Sequence, residues 1–118
     1  MTVVDGTVLN PVDIEAAIRT CSDRIHAGVK VCTKAEERAR EAARIYDRAF
    51  AQAYLKSEGP AHEKKYRAEL LTGPERDALD VAEIAYKHAE RTAKAIEAEL
   101  RAWQSVGASV RAMYGSVR

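Results

Sequence analysis

The chain has 118 residues, 47% of them hydrophobic and 31% charged, and a formal net charge of +1. That length holds one domain with a core of limited size, and the near-balanced charge excludes binding through a global basic or acidic field. Aromatic residues are only 6% of the chain and alanine supplies much of the apolar share, a composition of long helices and coiled coils.

No apolar run approaches the ~20 residues that span a bilayer. The N-terminus lacks the basic stretch and apolar core of a secretory signal. Two cysteines, Cys21 and Cys32, do not make a disulfide framework. A cytoplasmic protein with reduced thiols and no membrane partner is therefore expected.

Residues 1–9 read as a small N-terminal arm. Val3-Val4 and Thr7-Val8 flank Asp5-Gly6, the pairing that favours a tight hairpin turn because both central residues need positive φ. A lone hairpin is marginal in water, so an extended apolar arm is the alternative. Asn10 then supplies an N-cap and Pro11 the tolerated first position of a long helix predicted over 11–58.

Along that helix Ile14, Ile18, Cys21, Ile25, Gly28, Cys32, Ala35, Ala39, Ala42, Tyr46, Ala49 and Ala53 recur at alternating steps of four and three, a heptad seam. Gly28, unfavourable in a helix by about 1 kcal/mol, and the capping-box pattern Thr33 to Glu36 mark a possible kink near 28–33. The unbroken heptad phase favours continuity through it. In a continuous helix Cys21 and Cys32 lie ~16 Å apart, beyond the ~7 Å that a disulfide tolerates. They then act as two small buried hydrophobes. A redox pair would require the chain to fold back at Gly28.

Glu58-Gly59-Pro60 ends this helix, since Gly59 tolerates left-handed backbone and Pro60 blocks continuation. A short helix is predicted over 61–71. Thr72-Gly73-Pro74-Glu75 then starts a third helix over 74–114 with a capping-box pattern. Glu83, Glu90 and Glu97 each precede a base by four residues, at Lys87, Lys94 and Arg101, the favourable order on a solvent face. The third helix is expected to pack through Ala82, Ala85, Ala89, Ile96, Leu100, Trp103, Val110 and Tyr114, with a phase slip near Ala93. The predicted fold is all-α: residues 10–118 form an antiparallel, coiled-coil-like helical hairpin of two long helices with a short elbow helix.

Alanine seams bury little area per residue, so further contacts are expected. Val29, Val31, Ile45, Phe50, Tyr54 and Leu55 form a second apolar stripe on the first helix. A helix apolar on two sides needs two partners, and a homo-oligomer, dimer or higher, supplies the second through these six residues.

The histidines His26, His62 and His88 share no ligand spacing with carboxylates on one helical face. No nucleophile–base set or phosphate-binding glycine loop appears, so no catalytic residue, metal or other cofactor is predicted. One segment is compositionally distinct, carrying Arg101, Trp103, Arg111, Tyr114 and Arg118 with no acid beyond Arg101. Arginines beside aromatics suit nucleic-acid phosphates and bases. Basic residues also complement a helix C-terminus. A second basic group, Lys64-Lys65-Tyr66-Arg67, sits at the elbow.

The run Ala53-Tyr54-Leu55-Lys56-Ser57-Glu58-Gly59, the Glu/Lys-rich helix after it and Gln104-Ser105-Val106-Gly107-Ala108-Ser109-Val110-Arg111 resemble a group of small helical-hairpin proteins of tailed bacteriophages. Genes of that group often accompany replication or single-strand-annealing recombination genes. The resemblance implies a helical accessory protein in the host-cell cytoplasm and brings no catalytic residues. The expected function is a non-enzymatic, oligomeric adaptor presenting a helical surface to a protein or nucleoprotein partner. The alternative is a direct single-stranded nucleic-acid-binding factor using the arginine-bearing tail.

Overall fold

The computed structural model describes Val3–Val4, Thr7–Val8 and residues 10–115, with side chains from Asn10 onward. The chain is all-α apart from two two-residue strands, β1 (Val3–Val4) and β2 (Thr7–Val8), which pair antiparallel with Val3 opposite Val8. The turn expected at Asp5-Gly6 lies outside the described residues. Three helices follow: α1 (Pro11–Lys56), α2 (Ala61–Leu71) and α3 (Gly73–Gly115).

The N-cap forms as expected, with the Asp13 N–H donating to Asn10 Oδ1 at 3.0 Å. Helix α1 then runs uninterrupted through Gly28 and through the Thr33–Glu36 capping pattern. An internal capping motif has no free N–H groups to serve when the preceding turn already bonds them. Every seam residue read from the sequence of α1, from Ile14 to Ala53, is buried or half-buried. Cys21 and Cys32 are both free thiols, the first buried and the second half-buried. Because one helix carries both, mild oxidation should yield no intrachain disulfide, and Cys32 should react with an alkylating agent well before Cys21. Equal rates for the two thiols would contradict that burial order.

Gly59 takes a positive φ of 107°, and a side chain there would meet Glu63 Oε2 at 3.1 Å. The elbow is also tied by Arg67, which donates to the Glu58 carbonyl and pairs with Glu63 at 3.5 Å. The capping box expected at Thr72 does not form. The Thr72 hydroxyl donates back to the Ala68 carbonyl at 2.6 Å, as does its own N–H at 3.1 Å. With one residue between α2 and α3, the Thr72 N–H that Glu75 would accept from is taken by the end of α2.

The seam of α3 also departs from expectation. At seam spacing its buried or half-buried positions are Leu79, Ala82, Tyr86, Ala89, Ala93, Ile96, Leu100, Trp103, Gly107 and Val110, with Asp80, Glu90 and Val106 half-buried beside them. The seam positions alternate three and four without a slip, so the phase slip expected near Ala93 is absent. It arose from placing Ala85 in the seam, where the neighbouring Tyr86 belongs. Ala85 and Tyr114 are exposed.

The chain divides into two compact units. The first comprises residues 1–30 and 91–118. Its helix segments run antiparallel, since Ile14 lies against Gly107 while Arg24 meets Glu99. Ile14 and Val110 are each 1% exposed, and Ile18, Trp103 and Val106 pack against them. Gly107 permits this closeness, because a Cβ there would lie 3.2 Å from Ile14 Cγ2. The second unit is Val31–Glu90, again antiparallel, with Glu36 beside Tyr86 and Tyr46 beside Arg76. Its core is narrow: Ala39, Ala68, Leu79 and Ala89, with Thr72 as the buried polar residue.

Candidate functional site

Two surfaces and two polar clusters carry whatever chemistry the described residues offer. In the second unit, Tyr46, Phe50 and Tyr54 form a ring ladder along α1, with centroids 6.1 and 6.4 Å apart. Lys64 of α2 sits 4.6 Å above the Tyr54 ring, and the Arg76 guanidinium lies 5.5 Å from that of Tyr46, cation–π geometry that holds both basic groups against the helix. Of the six residues expected at an oligomer interface, Phe50 and Tyr54 are half-buried within this ladder. Val29, Val31, Ile45 and Leu55 are exposed. The elbow basic group is similarly engaged, with Lys64 over Tyr54 and Arg67 on Glu63.

Further large apolar residues face outward in the same unit. Leu70 is 84% exposed, Val81 68% and Ile84 67%, with Tyr66 and Leu71 also exposed. Leu71 borders a shallow depression shared with Ala53, Lys56, Thr72 and Glu75. Val81 and Ile84 were not foreseen because Ala85 was placed in the seam of α3 where Tyr86 belongs. The signal was present in Leu79, Tyr86 and Ala93, which recur every seven residues.

In the first unit the arginine-bearing tail is spread out. Arg101 is exposed, Trp103 packs against the Ile14–Val110 core, and Arg111 lies over Gly107, 3.6 Å from where its Cβ would be. Tyr114 is exposed, and Arg118 lies outside the described residues. The tail's aromatics are thus divided, one facing the core and one facing outward.

The first polar cluster surrounds Cys21. Arg24 donates to Glu99 at 3.2 Å beside the buried Cys21 thiol. Burial pushes the Cys21 thiol up, the Glu99 charge adds to this, and Arg24 opposes it. A raised thiol is a poor nucleophile at neutral pH.

The second cluster is centred on Glu36, which accepts from the Tyr86 hydroxyl at 2.9 Å and pairs with Arg40 at 3.7 Å. The hydrogen bond to Glu36, followed by burial and a bond to Glu90, pushes the Tyr86 phenol up to about 12. A raised acid is stabilised in its neutral form, so this contribution to stability is present in full below the ordinary value near 10. It is lost as pH rises from there towards 12. One phenol should therefore ionise near pH 12 in an ultraviolet titration, and Tyr86→Phe should delete that component. Its persistence in the variant would assign it elsewhere.

The charge ladder foreseen on α3 does not close into ion pairs. Among the described residues the surface pairs are Arg40–Glu36, Arg44–Glu41, Arg67–Glu63 and Arg76–Asp80, besides Arg24–Glu99. Solvated like this, such charges contribute little to stability. His26, His62 and His88 are all exposed, and no group of three or more metal-ligating side chains gathers among the described residues. No helix among them is long and apolar enough to cross a membrane.

Comparison with known proteins finds no matching family model, no matching curated protein and no matching solved structure.

Proposed function

We propose that the chain is a non-enzymatic helical adaptor of the cytoplasm, oligomeric, and built as an antiparallel helical hairpin that presents its outer faces to a protein or nucleoprotein partner. The reading follows the resemblance to small helical-hairpin proteins of tailed phages, and replication or recombination machinery is the partner class that resemblance suggests. One observation carries it: Ile45, Leu55, Leu70, Val81 and Ile84 face outward on helices whose inner seams are filled largely with alanine. Large apolar side chains left outward on a small chain support an interaction surface. The raised Cys21 thiol and the carboxylate-bound Tyr86 hydroxyl are held by structural partners, which suits a scaffold better than a reactive centre.

Direct nucleic-acid binding through the tail is the competing function. It would need stacking platforms beside the arginines; Trp103 is committed to the Ile14–Val110 core, which leaves Tyr114 as the tail's one outward aromatic among the described residues. Fluorescence titration of labelled single- and double-stranded DNA and RNA, at about 50–100 mM salt where weak phosphate contacts still register, tests the choice. The adaptor reading expects no binding. Tight, salt-sensitive binding abolished by Arg111→Gln with Arg118→Gln would overturn it.

A further inference from the structure

Helix α3 carries a second apolar face that repeats as regularly as its seam. The seam residues Leu79, Ala82, Tyr86 and Ala89 are buried or half-buried. Ala78, Val81, Ala85 and His88 repeat with the same three–four–three spacing and are all exposed. Each exposed position is one residue before a seam position, so the two faces are separated by about 100° around the helix. Ile84 borders the exposed face and Asp80, Glu83 and Lys87 lie beyond it. Asp77 and Arg91 lie two turns to either side of Ile84, and neither forms an ion pair among the described residues.

We propose that this face is the self-association surface, on which a second copy of the chain lays its own α3 antiparallel across a two-fold axis. The inference rests on the oligomeric reading above and specifies where and how the copies meet. Antiparallel heptad pairing that sets Val81 against Ala85 of the second copy also sets Ala78 against His88, larger side chains facing smaller ones. The same register brings Ile84 to Ile84 across the axis and Asp77 to Arg91 on each flank, as a self-complementary contact requires. Sliding the pair by one heptad in either direction would oppose Ile84 to Arg91 or to Asp77. A parallel pair would set His88 against His88 and leave Asp77 and Arg91 without each other. The charge pattern therefore selects one register.

The test is the solution mass of the full chain at micromolar concentrations, by sedimentation equilibrium, with helix content and melting checked for each variant. Ile84→Arg sits on an exposed position, so the chain should fold, while two guanidinium groups meet at the axis. Its dimer dissociation constant should rise by about 100-fold or more. Asp77→Arg should weaken the dimer by about tenfold, through two lost pairs and two new repulsions, and adding Arg91→Asp should restore it. A dimer untouched by Ile84→Arg, or a double swap as weak as the single change, overturns this surface and leaves oligomerisation by another face standing. A wild-type chain that is monomeric throughout overturns the oligomeric reading and this inference with it.

Discussion

Replacing Ile14 with alanine should destabilise the fold by about 3 kcal/mol, the middle of the range for emptying a buried aliphatic site. Ile14 is 1% exposed, lies against Val110, and has Ile18, Trp103 and Val106 around it. The neighbouring backbone at Gly107 is already close to its methyl and cannot refill the space with a side chain it lacks. The loss should appear as a lower urea midpoint with an unchanged slope, measured at fixed chain concentration because association contributes to apparent stability. Val12→Ala, two residues away and exposed, should change the midpoint within about 0.5 kcal/mol. Equal effects of the two substitutions would contradict the placement of the core.

The second large effect belongs to the other unit and has the opposite cause. Ala68 is fully buried, and its carbonyl accepts from both the hydroxyl and the N–H of Thr72. Enlarging it to leucine forces either the side chain off its rotamer or the α2–α3 junction apart, so Ala68→Leu should lose about 2 kcal/mol. Ala61→Leu, at an exposed position of the same helix, should be nearly neutral and serves as the control.

Much of this architecture was legible in the residues because the physical signals were strong and local. Asn10-Pro11 and Gly59-Pro60 act within one turn of the helix ends they mark. The seam of α1 was readable because its three–four alternation is carried by residues with no polar competitor, from Ile14 through Ala53. The seam of α3 was harder at one place, where Ala85 and Tyr86 are adjacent and either fits an apolar pattern. A tyrosine hydroxyl normally points to water, and only the tertiary partner Glu36 makes Tyr86 a seam residue. That single exchange created the apparent slip near Ala93 and hid the outward pair Val81 and Ile84.

The Thr72 cap failed for a related reason. Its pattern is correct, but the residue ends one helix as it begins the next, and the N–H that Glu75 would accept from in a capping box is already bonded to the Ala68 carbonyl. Tyr114 fits the helical period yet remains exposed, because periodicity cannot show where the facing helix stops. The outward apolar residues were partly foreseen on α1, at Val31, Ile45 and Leu55. The packing of Phe50 and Tyr54 beneath Lys64 depends on where α2 lies, which no pattern within α1 encodes.

The most direct measurement of the central claim is the light-scattering mass of the full chain across micromolar concentrations. An oligomeric adaptor should give at least twice the 13.0 kDa of one chain, falling towards it on dilution. A mass equal to one chain at every concentration would contradict the account.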